Sequence, residues 1–146
     1  MHQTNVLDVA RYILNRLGAM SAVKLQKLVY YAQAWSLVWD EEPLFNQKIE
    51  AWAHGPVAPA LYKKHKGQFT LYPSSFGHGD ARHLSKTQRE TVDAVIKFYG
   101  SKSAHWLSEL THREAPWRDA RLGLLPGERG SQEIDHAAMA EYYAGL

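Results

Sequence analysis

Several residues in this chain have the types and spacing that chemistry would require, and each carries its own test. His112 and Glu114 form a His-x-Glu step, the spacing that zinc deaminases use for a metal ligand and a general acid/base. Those sites also need a downstream cysteine pair, and the chain has no cysteine. Deaminase chemistry is therefore excluded, together with disulfides, thiolate zinc sites and cysteine nucleophiles. His78, Asp80 and His83 offer imidazole and carboxylate groups that suit several ions, but they stand in a Gly-rich stretch without a helical frame, so no metal site is expected. The sequence has no strand-borne Gly-x-Ser-x-Gly, no Gly-x-x-x-x-Gly-Lys phosphate loop and no His-Glu-x-x-His. A hydrolase using His54 or His112 would need an acid, a base and a nucleophile converging in one pocket. No catalytic residue is expected.

Two other groups suit binding. Lys24, Lys27 and Tyr31 are separated by three and four residues, which places them on one helix face. They read either as a polar patch offered to a partner or as lysines that lay their methylenes on apolar surface with the ammonium in water. Trp52 and His54 share a strand face, and Gly55 frees the backbone beside them. Trp is enriched at binding hot spots, yet it is also commonly buried, and a single His near a core is more often structural. If the two groups converge, a Trp plane bordered by lysines would anchor a partner. Lys63, Lys64 and Lys66 form the densest basic cluster; they suit a solvated helix end, where cations complement the dipole, better than the broad stripe that nucleic acid requires.

The elements that must position these groups follow from apolar periodicity. Val6, Val9, Ile13 and Leu17 predict a first helix behind Thr4 as N-cap, stopped at Gly18. Ser21 caps a longer helix to about Asp40, with Leu25, Leu28, Val29, Ala32 and Trp35 or Ser36 on one stripe and other faces apolar too, as in the centre of a bundle. Alternation from Ile49 to His54 predicts a short strand, followed by a turn at Gly55–Pro56. Pro59 opens a helix to Lys66, and residues 68–83 read as a loop. Ser85 or Thr87 opens a helix through Tyr99, Ser101 or Ser103 caps another carrying Trp106, Leu107 and Leu110, and Pro116 begins a short turn. After a Gly- and Pro-containing loop from 123 to 130, Asp135 caps a terminal helix through Tyr143, packed by Met139 and Tyr142. The expected fold is mainly α: one compact helical domain over 1–146, of about six helices with a minor β element.

Composition agrees with a real core: 45% hydrophobic and 22% charged residues, with a net charge of +2, and the two signs interleaved. Nothing approaches the ~20 apolar residues of a membrane span, and the charged N-terminus is unlike a signal peptide. A cytoplasmic protein is expected, with no cofactor and no demand for nucleic acid.

Four separated blocks, KLQKLVYYAQAW (24–35), PLF (43–45), IEAWAHGPVAPALY (49–62) and WLSELTHREAPWRDAR (106–121), resemble in order and spacing the Panacea-domain antitoxin family, which includes SocA-like and phage-associated GepA-like proteins. The resemblance runs from about Leu7 to Tyr143. It implies an antitoxin that neutralises a cognate toxin, encoded beside it, by direct protein–protein binding, with some relatives acting as adaptors toward a Clp-type protease. Other relatives carry an added DNA-binding segment, for which this chain has no room. The expected partner-binding residues are Lys24, Lys27, Tyr31, Trp52, His54 and Gly55. The rival reading, a phage or mobile-element regulator that binds nucleic acid, predicts salt-sensitive DNA binding.

Overall fold

In the computed structural model, which describes residues 3–146, the first helix is α1 (Val6–Leu17). Met1 and His2, the start of the expected 1–146 domain, lie outside the described residues. The N-cap is Asn5 and not Thr4: the Asn5 side chain accepts from the amides of Leu7 and Asp8, and Asp8 reaches back to the Asn5 amide. That reciprocal box satisfies several otherwise orphaned donors at once. Thr4 is spent elsewhere, its hydroxyl lying 2.8 Å from Gln88 Oε1 and 3.1 Å from the His83 carbonyl. Gly18, at φ 83°, ends the helix in a conformation that a Cβ would strain.

Two residues, β1 (Met20–Ser21), lead into α2 (Ala22–Trp39), capped by Ser21 as expected. α2 is the axis of the molecule. Leu25, Leu28, Val29 and Ala32 are fully buried, and so are Tyr30 and Tyr31 on the other faces. Burying each such leucine contributes about 1.5–3 kcal/mol relative to leaving it in water. The polar residues of α2 fasten the neighbouring chain. Gln33 accepts from the Leu44 amide and donates to the Phe45 carbonyl, both at 2.8 Å, and Gln26 accepts from the Ala58 amide at 2.9 Å.

Ala58 follows a hairpin made of β2 (Ile49–Trp52) and β3 (Gly55–Val57), antiparallel with Trp52 opposite Gly55. The expected turn at Gly55–Pro56 is displaced: Ala53 and His54 make it, and Gly55 and Pro56 belong to β3. Proline is tolerated there because β3 is an edge of the sheet β3-β2-β5. α3 (Pro59–His65) begins on Pro59 as expected. The stretch read as loop holds β4 (Thr70–Leu71), paired with β1, and two short 3-10 turns at Pro73–Phe76 and Ala81–His83.

The second half is α4 (Lys86–Tyr99), α5 (Ala104–Arg113), α6 (Ala115–Ala120), β5 (Glu133–Ile134) and α7 (His136–Ala144). Of the paired alternatives, Ser85 and Ser103 are the caps. In α7 the core residues are Met139 and Tyr143, with Tyr142 only half-buried. α1, α4, α5, α7 and β3 all pack on α2, and the buried apolar residues form one cluster. Among the described residues the fold is thus mainly α, with seven helices and small sheets. No helix among the described residues is long and apolar enough to cross a membrane.

Candidate functional site

The β2–β3 hairpin is held from behind and open in front. Behind it, Trp117 on α6 donates its indole N–H to the Trp52 carbonyl at 2.8 Å, and Arg121 donates to the Ala51 carbonyl at 2.9 Å. The Arg121 guanidinium also reaches the Glu128 carbonyl and lies 5.3 Å from the centre of the Trp117 ring. One buried arginine therefore ties the hairpin to the loop after α6. Between that loop and the hairpin runs an open groove lined by Glu50, Trp52, His54, Tyr62 and Arg129, among others. Its aromatic wall is built: the Trp52 and Tyr62 rings meet edge to face at 4.9 Å and 70°, a favoured geometry. Trp52 Nε1 donates to Glu50 Oε1 at 2.8 Å, while Lys48 holds the other carboxylate oxygen at 3.1 Å. His54 stands exposed at the hairpin tip.

The helix-face residues are placed differently. Lys27 is 2% exposed and Tyr31 0%: Lys27 lies beside the Gly55 backbone of β3, while Tyr31 stacks on Tyr99 of α4 at 4.2 Å and meets Tyr143 of α7 edge to face. In the free protein Lys27 and Tyr31 thus form no open polar patch. The blocks do meet, but inside: a Cβ built on Gly55, whose φ is 130°, would stand 2.5 Å from Lys27 Cε and 2.9 Å from its Nζ. The Trp plane bordered by lysines is not formed, as Trp52 faces Tyr62 and Glu50 and the groove's cation is Arg129. Lys24 lies half-buried, donating at 2.7 Å to the Gly100 carbonyl just past α4, where a cation complements the helix end.

Burial sets the electrostatics. It lowers Lys27 from 10.5 to about 8 and depresses His112 as well, against the opposing pull of the His54 backbone and Glu109. The His112 ring stacks on Trp117 at 4.2 Å, and its Nε2 is buried without a partner. Tyr31 donates to Glu114 Oε1 at 2.6 Å and Tyr143 donates to the same oxygen at 2.8 Å. With the Tyr143 proton so used, Tyr30, 3.0 Å away, is the donor to Tyr143. Burial raises Glu114, with both tyrosine hydrogen bonds and Arg113 opposing, and pushes all three tyrosines far above the ordinary phenol.

The other sequence candidates disperse. Asp80 is held down to about 2 mainly by hydrogen bonds from Arg82, and His83 Nδ1 lies 3.1 Å from the buried Asp8 carboxylate. Among the described residues no group of three or more His, Asp or Glu is placed to hold a metal ion. Lys63, Lys64 and Lys66 are exposed around the end of α3. Sequence reasoning overlooked Glu50, Tyr62, Trp117, Arg121 and Arg129. Glu50 and Tyr62 stood in the third block of the resemblance and Trp117 and Arg121 in the last, but block membership gave no hint that the last two would brace a hairpin far back along the chain, and Arg129 had no signal at all.

Comparison with known proteins identifies relatives. A family model described as "Antitoxin SocA-like, Panacea domain" matches residues 25–118. The chain is also similar to Antitoxin SocA of Caulobacter vibrioides (strain NA1000 / CB15N), 41% identical over 59 residues, or 38% of this chain. The match spans 31% of that relative's own length. No solved structure matches.

Proposed function

The chain belongs to the SocA-like, Panacea-domain antitoxin family, and from that premise we propose that it neutralises a cognate toxin protein by binding it at the β2–β3 hairpin groove. The observation that carries this reading is the braced aromatic wall of Trp52 against Tyr62, open to solvent along a groove. A rigid aromatic anchor in a concave surface is the arrangement that binding hot spots use. Trp52 and His54 touch the toxin directly, Gly55 and Lys27 shape the wall from beneath, and Tyr31 and Lys24 hold the scaffold. The protein works as one domain in the cytoplasm, occluding the toxin with no bond made or broken. An adaptor role toward a Clp-type protease would use the same complex and differ only in the fate of the toxin.

The test is co-expression with the protein encoded in the adjacent reading frame, followed by co-purification. Growth rescue together with a stable complex is expected, and Trp52→Ala is expected to weaken that complex by roughly thirtyfold. Rescue without any detectable complex would overturn direct neutralisation. Toxin that accumulates when the Clp-type protease is deleted, and vanishes when it is present, identifies the adaptor role.

A further inference from the structure

Three flat side chains lie one against the next behind the β2–β3 hairpin. The His112 ring, in the last turn of α5, stacks on the Trp117 ring of α6 at 4.2 Å and 14°, and the Arg121 guanidinium lies over Trp117 at 5.3 Å. Each of the three reaches hairpin backbone. Arg121 donates to the Ala51 carbonyl, Trp117 donates to the Trp52 carbonyl, and His112 is hydrogen-bonded to the backbone of His54. Trp52 and His54 are themselves groove-lining residues.

His112 holds the part of the hairpin that the sheet does not. The last ladder pair is Trp52 with Gly55, so Ala53 and His54 lie beyond the ladder. The end of α5 comes up against this region, since a Cβ built on Gly55 would stand 3.4 Å from Thr111 Oγ1. Packing on Trp117 does not by itself call for a histidine. A phenylalanine would stack there and leave no polar atom behind, whereas the His112 Nε2 is buried with no partner, which opposes folding. What histidine adds is its other nitrogen. With Nε2 unpartnered, Nδ1 is the atom that reaches the His54 backbone.

We propose that His112 is a positioning residue for partner binding: as the third plane of the stack it fixes the hairpin tip, Ala53 and His54, so that His54 is presented to the toxin beside Trp52. This rests on the antitoxin reading of the groove and adds the residue that sets its tip. A tip ordered before the toxin arrives loses no freedom on docking, so His112 raises affinity without touching the toxin.

The experiment uses the full chain, with the protein encoded in the adjacent reading frame as the probe. His112→Phe keeps a ring on Trp117 and removes both nitrogens, whereas His112→Asn keeps a donor near the Nδ1 position and removes the ring. Thermal melts, amide hydrogen exchange at residues 53–55 and titration against the probe are compared with wild type. For His112→Phe the expected result is a melting temperature at or above wild type, faster exchange at the tip and an affinity reduced by roughly tenfold. For His112→Asn a lower melting temperature is expected with an affinity closer to wild type, so that stability and affinity rank the two variants in opposite orders. Unchanged affinity in folded His112→Phe overturns the inference while leaving the antitoxin reading intact. A His112→Phe variant that melts clearly below wild type or fails to fold also overturns it, as does an affinity that follows the melting temperature in both variants, since His112 would then serve the fold alone. Absence of any complex with wild type overturns both.

Discussion

Replacing Lys27 by Met gives the sharpest energetic test of the buried cation, independent of any partner. Burial takes this lysine from 10.5 to about 8, which corresponds to roughly 3 kcal/mol of differential cost for the charged form. Below pH 8 the amine is protonated in both folded and unfolded chains, and the full cost is present. Between about pH 8 and 10.5 the folded state releases its proton while the unfolded state keeps it, so the unfolded state binds more protons and stability rises with pH. Tyr30, Tyr31 and Tyr143 set the upper limit of the window. Their folded pKa values are raised, so as pH passes about 10 the unfolded tyrosines ionise first and stability falls again. His112, depressed by burial, acts at the other end, where acid favours the unfolded state. The clean window is therefore about pH 8 to 10. Urea denaturation at pH 7, 8, 9 and 10 is expected to show Lys27→Met more stable than wild type by about 2–3 kcal/mol at pH 7, with the gap closing as pH rises. Parallel stability curves across that range, or a less stable variant at pH 7, would refute the reasoning.

Other perturbations probe the scaffold. Leu28 is 0% exposed at the centre of α2, so Leu28→Asp is expected to unfold the protein, the several kcal/mol of an unpaired core carboxylate being comparable to the total stability; a wild-type melt would show the axis to be misassigned. Glu114→Leu strands the Tyr31 and Tyr143 hydroxyls and is expected to destabilise by about 2–4 kcal/mol, whereas Glu114→Gln keeps an acceptor and should come close to wild type. Because the folded Glu114 pKa is raised, its contribution is fully present below the unfolded value and lost as pH rises through the folded one. The Glu114→Gln variant should therefore lack that part of the wild-type decline, read by denaturation from pH 4 to 8. Gly55→Ala introduces a methyl 2.5 Å from Lys27 Cε at a φ of 130° and should lose about 1–3 kcal/mol; full stability in a thermal melt would mean that the hairpin yields freely.

The helices were legible because caps and periodicity are local. Ser21, Ser85, Ser103 and Asp135 all cap the helices they precede, and the all-round apolar pattern of α2 marked its central place. The misplaced details share one physical origin. Thr4 lost the α1 cap to Asn5 because Thr4 bonds Gln88 and His83, more than 75 residues away. β1, β4 and β5 are two residues each, too short to alternate, and exist only through partners distant in sequence. The hairpin turn fell on Ala53–His54 because register is fixed by the pairing of Trp52 with Gly55 and not by the residues with the strongest turn preference.

The burial of Lys27 and Tyr31 was missed along the same line, and the reason is informative. Three- and four-residue spacing correctly put Lys27 and Tyr31 on one face, but spacing says nothing about what covers a face. A lysine on a helix is ordinarily taken as a sign of solvent, since burying its charge is costly. Here β3, 28 residues onward at Gly55, and α5, 84 residues onward at Thr111, close over it. Gly55 was read as freedom for a turn, whereas its lack of a side chain is what lets the hairpin lie against Lys27 Cε. The two residues are thus halves of one steric fact. The surface left outside, Trp52 against Tyr62 with Arg129 at the rim, acquires its shape from Arg121 and Trp117 gripping the hairpin backbone. A binding face assembled in this way from distant segments is encoded in the contacts between blocks and not in the composition of any one of them.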